Sequence, residues 1–141
     1  MKKLLSLLLV VVGAFALVCC GQSNGEAKTV VAVAKEENTV VIIVEELAGT
    51  ATLLAVMEDL REEGKLTFTA DLSGMVQSIE GKENPADWSA CWMLYTSDEE
   101  MANTDWGTIE YEGVVYGSAI LGARALEVVA GATYIWSYQT F

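Results

Sequence analysis

The sequence predicts an α+β domain, with one helix packed on a mostly antiparallel sheet. Three observations lead there. Only Thr50 to Glu63 carries a helical pattern, while several runs of β-branched and aromatic residues alternate with period two. The glycine and polar breaks between those runs read as hairpin turns, which join antiparallel strands. A lone amphipathic helix among many strands must bury its apolar face on the sheet they form.

The elements follow in order. From Thr29 the chain turns strongly β: Val30, Val31 and Val33, a polar turn at Lys35-Glu36-Glu37-Asn38, then Thr39 to Val44. In the helix Leu53, Val56, Met57 and Leu60 fall on one face at i, i+3, i+4 and i+7. Thr50 stands where an N-cap belongs and Gly64 where a left-handed C′ residue belongs. Glu58, Asp59, Arg61, Glu62 and Glu63 form the solvated face. Leu66 to Ala70, Met75 to Ile79 and Cys91 to Thr96 read as strands. Thr108 to Tyr111 and Val114 to Tyr116 flank Glu112-Gly113, a tight hairpin signal. Ala125 to Val129 leads to Gly131, and Tyr134 to Tyr138 closes the chain as a strand. There is no internal repeat.

Ahead of the domain stand Met1-Lys2-Lys3, an apolar run of fifteen residues from Leu4 to Val18, then Cys19-Cys20-Gly21. The run is shorter than the ~20 residues a membrane-spanning helix needs. A positive start, a short apolar stretch and a cysteine just past it form the export signal of a bacterial lipoprotein. Small Cys19 suits the position before cleavage, so Cys20 is the expected lipidation site. Residues 1–19 read as signal peptide, 20–29 as lipidated cysteine and flexible tether, and 30–141 as the folded domain. The expected address is extracytoplasmic, on the bacterial cell membrane, because two or more acyl chains make a stable anchor.

Loss of Lys2 and Lys3 with the signal moves the formal net charge from −12 to about −14. Six basic residues (Lys28, Lys35, Arg61, Lys65, Lys82 and Arg124) then face twenty acidic ones. Nucleic acid is excluded as a partner, since binding it requires basic charge to displace counterions. Cys91 remains as the only free thiol and reads as a small core residue. The chain has no histidine, which rules out the common triads and imidazole metal sites. Gly117-Ser118-Ala119-Ile120-Leu121-Gly122 has spaced glycines but no lysine after them, so it is not a phosphate loop. The composition implies neither an enzyme nor a resident cofactor or metal. Ser97-Asp98-Glu99-Glu100 with Asn103 and Asp105 offers clustered oxygens for calcium, without the spacing of an EF-hand loop, and reads more simply as a solvated acidic loop.

Aromatic residues are the functional lead. Tyr134, Trp136 and Tyr138 share one face of the last strand, the pattern of core packing. Trp88 and Trp106 lie in polar segments that read as loops, where an indole can meet a ligand. The candidate ligand-binding residues are Trp88, Trp92, Tyr95, Trp106 and Tyr116. Trp92 and Tyr95 are three apart on one strand and face opposite sides, so this set is larger than any one pocket.

Three segments carry a family resemblance: Trp92-Met93-Leu94-Tyr95-Thr96-Ser97-Asp98, the hairpin before Gly117-Ser118-Ala119, and Val129 to Tyr138. With Ala51 to Met57 at the helix, they resemble the transcobalamin-like C-terminal domain family over roughly residues 39–141. Ser97-Asp98 and Ala130-Gly131-Ala132 depart from that family's usual turn residues. The resemblance implies a small β-grasp-like domain, and many bacterial members are surface lipoproteins. In the vertebrate vitamin B12 carriers the related domain closes over one face of the corrinoid. The expected function is therefore a lipid-anchored binding domain, capturing a small ligand such as a corrinoid. The alternatives are a structural or adhesive surface module that contacts other proteins, and a calcium-binding surface module.

Overall fold

The computed structural model describes residues 27–141. The signal peptide, Cys20 and most of the tether lie outside the described residues. The described residues form nine strands and one helix. They are β1 (Val30–Glu36), β2 (Thr39–Glu46), α1 (Leu53–Glu62), β3 (Phe68–Ala70), β4 (Val76–Ile79), β5 (Lys82–Glu83), β6 (Ala90–Thr96), β7 (Ala102–Tyr111), β8 (Val114–Ala119) and β9 (Thr133–Thr140). A six-stranded sheet runs in the order β1-β2-β9-β6-β8-β7, and β3-β4-β5 make a smaller one. Every pairing is antiparallel, so the architecture is the expected α+β with a helix on an antiparallel sheet.

Period two divides the main sheet into two apolar faces. On one, Val40, Ile42 and Val44 of β2, Trp92 and Leu94 of β6, and Tyr134 and Trp136 of β9 pack with Leu53, Val56, Met57 and Leu60 of α1. On the other, Val41, Tyr95 and Ile135 meet Tyr116, with Met93, Ile109 and Tyr111 packed around them. The β7–β8 hairpin supplies that second cover. Only Tyr95 and Thr96 pair with β8. The rest of the hairpin departs from β6, and the Tyr111 phenol comes near the Glu36 carboxylate on β1.

Turn chemistry fixes the hairpins. Glu112 and Gly113 both take positive φ (50° and 78°), the geometry of the two-residue turn whose twist matches that of paired strands. Glu80-Gly81 repeats it between β4 and β5, an element too short to be visible in the sequence pattern. Strand β7 begins earlier than the sequence indicates. Thr104 to Gly107 bulge out between the paired Asn103 and Thr108, so polar residues sit inside a strand and mask its period.

The helix differs from expectation at its start. Thr52, not Thr50, is the N-cap, and its hydroxyl accepts from the Ala55 N–H at 3.3 Å. The other early N–H groups, which lack partners within a helix, are met by the β8–β9 loop. Leu53 N–H donates to the Leu126 carbonyl at 2.8 Å and Leu54 N–H to the Ala123 carbonyl at 2.9 Å. Ala125 to Val129 is therefore not a strand. Its alternating buried Leu126 and Val128 lie along the helix start, joined by one isolated bridge from Glu127 to Thr52. Gly64 takes φ +73° past the helix end, as its position predicts.

The small sheet is fastened to the large one by polar groups at β6 and β9. Trp92 Nε1 donates to the Lys82 carbonyl at 2.8 Å, and Trp92 N–H to Asn84 Oδ1 at 2.9 Å. Asn84 Nδ2 in turn donates to the Val76 carbonyl at 3.0 Å. Tyr138 donates its hydroxyl to the Glu83 carbonyl at 3.0 Å and stacks edge-on against Trp92 at 5.3 Å. Among the described residues no helix is long and apolar enough to cross a membrane.

Because Thr52 caps α1 and Thr50 does not, Thr52→Ala is expected to cost about 1 kcal/mol and lower the melting temperature by several degrees. Thr50→Ala should leave it nearly unchanged. Calorimetry of the two variants checks the assignment, and equal losses would refute it.

Candidate functional site

A cleft of about 630 Å³ opens where the main sheet, the β3–β4 turn and the β8–β9 loop meet. Trp92, Leu94 and Trp136 of the sheet and Ala119 at the end of β8 line it, with Ile120 to Ala125 on one side and Ser73 to Val76 on the other. Its mouth carries apolar side chains in solvent, among them Met75, Ile120 and Leu121. A second groove of about 500 Å³ between the start of β1 and α1 is walled by Lys28, Asp59, Glu62, Glu63 and Lys65. Its charges are of both signs and mostly in water. The first cleft has the apolar lining that ligand sites use, and a volume within their ~300–1,000 Å³ range.

Both of its loops are held in place. Asp71 Oδ1 accepts from the Ser73 hydroxyl at 2.5 Å, the Ser73 N–H at 2.8 Å and the Met75 N–H at 3.1 Å. Its Oδ2 accepts from Gln77 Nε2 at 3.0 Å. The Ser73 hydroxyl leads the hydrogen bonds that hold the Asp71 carboxyl below the usual carboxylate range. The opposite wall is tied to the helix N-terminus through Ala123 and Leu126, as described above. Arg124 joins the two walls, donating from Nη1 to the Leu72 carbonyl at 2.9 Å. Its stem lies over Gly74, where an added Cβ would stand 2.6 Å from Arg124 Cδ and the φ of +85° already favours glycine.

One buried polar atom of a residue that lines the cleft is unmatched. Trp136 is 5% exposed, and its Nε1 is buried without a hydrogen-bond partner. Leaving such a donor unpaired costs roughly 1–3 kcal/mol. The contrast with neighbouring Trp92, whose Nε1 is paired, marks Trp136 as the exception.

The five aromatic residues singled out by sequence do not converge. Trp92 lines the cleft. Tyr95 and Tyr116 lie on the opposite face of the sheet, in the second apolar cluster, as the odd spacing from Trp92 requires. Trp88 is half exposed in the turn after Pro85, with φ +56°. Trp106 is 64% exposed on the bulge of β7, within a strand rather than a loop. Cys91 is half-buried on the second face rather than in the core, its Sγ 3.5 Å from Met93 Sδ, and burial pushes its thiol pKa up.

In the acidic segment, Asp98 Oδ1 accepts from the Glu100 N–H at 3.1 Å and Asn103 Oδ1 from the Asp105 N–H at 2.9 Å. Among the described residues no three His, Cys, Asp or Glu side chains come together as a metal-binding group. Sequence reasoning missed Trp136, Arg124 and the Ala119–Ala125 wall. The signal was present: one arginine in a run of small and aliphatic residues that forms neither a phosphate loop nor a strand.

Comparison with known proteins gives no family for this fold. No family model, no curated protein and no solved structure matches the chain.

The Asp71 hydrogen bonds stabilise the carboxylate, so their contribution is present above the ordinary aspartate range and lost as pH falls through the depressed value. The Ser73 and Met75 amide resonances are expected to titrate together, with a midpoint below about 3.9. A midpoint at or above that value would show that Asp71 does not hold the wall.

Proposed function

We propose that this chain is a non-enzymatic binding domain, anchored outside the cytoplasm by lipid on Cys20, whose cleft captures a small ligand. The observation that carries the reading is the cleft itself, about 630 Å³ and lined mainly by apolar side chains, Trp92, Leu94 and Trp136 among them. The two walls are tied to the rest of the fold by hydrogen bonds, so little ordering is needed on binding, which favours affinity.

The resemblance to the transcobalamin-like C-terminal domain family supplies a corrinoid as the first ligand to try. The β-grasp-like arrangement belongs to the same proposal and is supported by a single helix lying on one face of the sheet. As a cap, the domain would meet the ligand with its rim, where Met75, Ile120 and Leu121 stand in solvent. A second reading, an adhesive surface module, is favoured by a different observation. Trp106, Val114 and Val115 are exposed on β7 and β8, away from the lining of the cleft.

Tryptophan emission titrated with cobalamin and cobinamide tests the corrinoid. Quenching beyond the inner-filter effect, lost in Trp136→Phe, is the expected result. No quenching at high micromolar ligand would end the corrinoid version. The anchor has its own test. Cys20→Ala is expected to leave the protein unprocessed or free of the membrane, and an unacylated N-terminus on the mature wild-type chain would refute lipidation.

A further inference from the structure

The charge of the cleft is opposite to that of the protein. Nineteen of the chain's twenty acidic residues are among the described residues, yet none of these lines the cleft. Among the described residues Arg124 is the one charged side chain that lines it. None of the ion pairs among the described residues involves Arg124: they join Lys35 to Glu80 and Lys65 to Glu63. Its one hydrogen bond to a neighbour is to the Leu72 carbonyl, which is neutral and uses a single N–H of the five a guanidinium offers.

From this we infer that the ligand is a small amphiphile with an apolar body and one anionic group, a carboxylate or a phosphate monoester. The inference rests on the reading of the cleft as a ligand site and adds the ligand's charge. The anion pairs with Arg124 at the rim. The apolar body lies along Trp92, Leu94, Ala119 and Trp136. Each part answers a specific feature. A neutral apolar ligand would leave the arginine unused, and a small polar anion would not displace water from aromatic walls. A ligand with two or more positive groups would be drawn instead to the acidic exterior.

The arrangement also explains the close packing of Arg124 on Gly74. A long, flexible cation at a rim loses side-chain freedom when it binds an anion. Here the stem is confined over Gly74 and the guanidinium is held to the β3–β4 turn before any ligand arrives. That restraint reduces the entropy lost on binding and directs the remaining N–H donors.

The test compares 4-phenylbutyrate with its neutral amide, 4-phenylbutyramide, on the full chain. The Trp136 indole 15N–1H resonance, assigned by its loss in Trp136→Phe, reports on the cleft alone. Both compounds are expected to shift it, the carboxylate with an affinity about fivefold or more above the amide's. Raising the salt from 50 to 500 mM should weaken the carboxylate and leave the amide alone. Arg124→Gln should abolish the preference, and Arg124→Lys should restore most of it. Equal binding of the two compounds to the wild-type chain would overturn the anionic ligand and leave the cleft reading standing. Failure of both compounds to move the resonance at 10 mM would overturn both readings. Phenyl phosphate against phenol repeats the comparison for the phosphate arm, and the tighter of the two anions identifies the head group.

Discussion

Strand β9 is buried on both faces, and the rest of the domain is arranged around that fact. Tyr134 and Trp136 point to one side and Ile135 to the other, and all three are almost wholly removed from water. Their neighbours β2 and β6 pair with β9 along its length, so its backbone groups are matched within the sheet. The side chains need two separate covers. The helix, the small sheet and the β8–β9 loop supply one, and the β7–β8 hairpin supplies the other. Burial of large side chains such as these contributes about 1.5–3 kcal/mol each, more than the roughly 0.5–1.5 kcal/mol of a typical neutral hydrogen bond. Polar groups buried with β9 are met where the chain can reach them. The Tyr134 hydroxyl accepts from the Val129 N–H at 2.9 Å, and Trp136 is the one left over.

The cleft is a product of geometry. A helix of ten residues is about 15 Å long and about 10 Å wide, whereas a sheet of six strands is about 24 Å across. One helix covers only part of the face. The remainder falls to β3-β4-β5 and to the loop from Ile120 to Ala132, neither of which is regular enough to close it completely. The two covers meet over β6 and β8, and their seam is the cleft. This is why its walls come from segments distant in the chain, and why Arg124, which bridges them, occupies its rim.

How much of this could be read from the residues depended on range. The hairpins, the helical stripe of Leu53, Val56, Met57 and Leu60, and the alternation of Tyr134, Trp136 and Tyr138 are local patterns, and they were legible. So was the split of Trp92 from Tyr95, which follows from strand periodicity alone. Thr50 and Thr52 are both plausible caps by type, and only the docking of the β8–β9 loop onto the helix start selects Thr52. Trp106 looked like a loop residue because Thr104 to Gly107 interrupt the period of β7. The cleft was invisible for a stronger reason. Gly74 and Arg124 are fifty residues apart, and no local pattern couples them. The expectation that Cys20 is lipidated rests on sequence alone, and Cys20 lies outside the described residues.

The bulge of β7 has a meaning for a population of molecules as well as for one. Among the described residues, strands β1 and β7 end the main sheet, and each presents an edge row of backbone groups. Where two copies meet, two such rows can zip together. On β7 the four residues Thr104 to Gly107 break the row in the middle, and Asp105 within the break and Glu110 beyond it add negative charge to that edge. An irregularity that hid a strand from sequence reading thus also interrupts an exposed edge of the sheet.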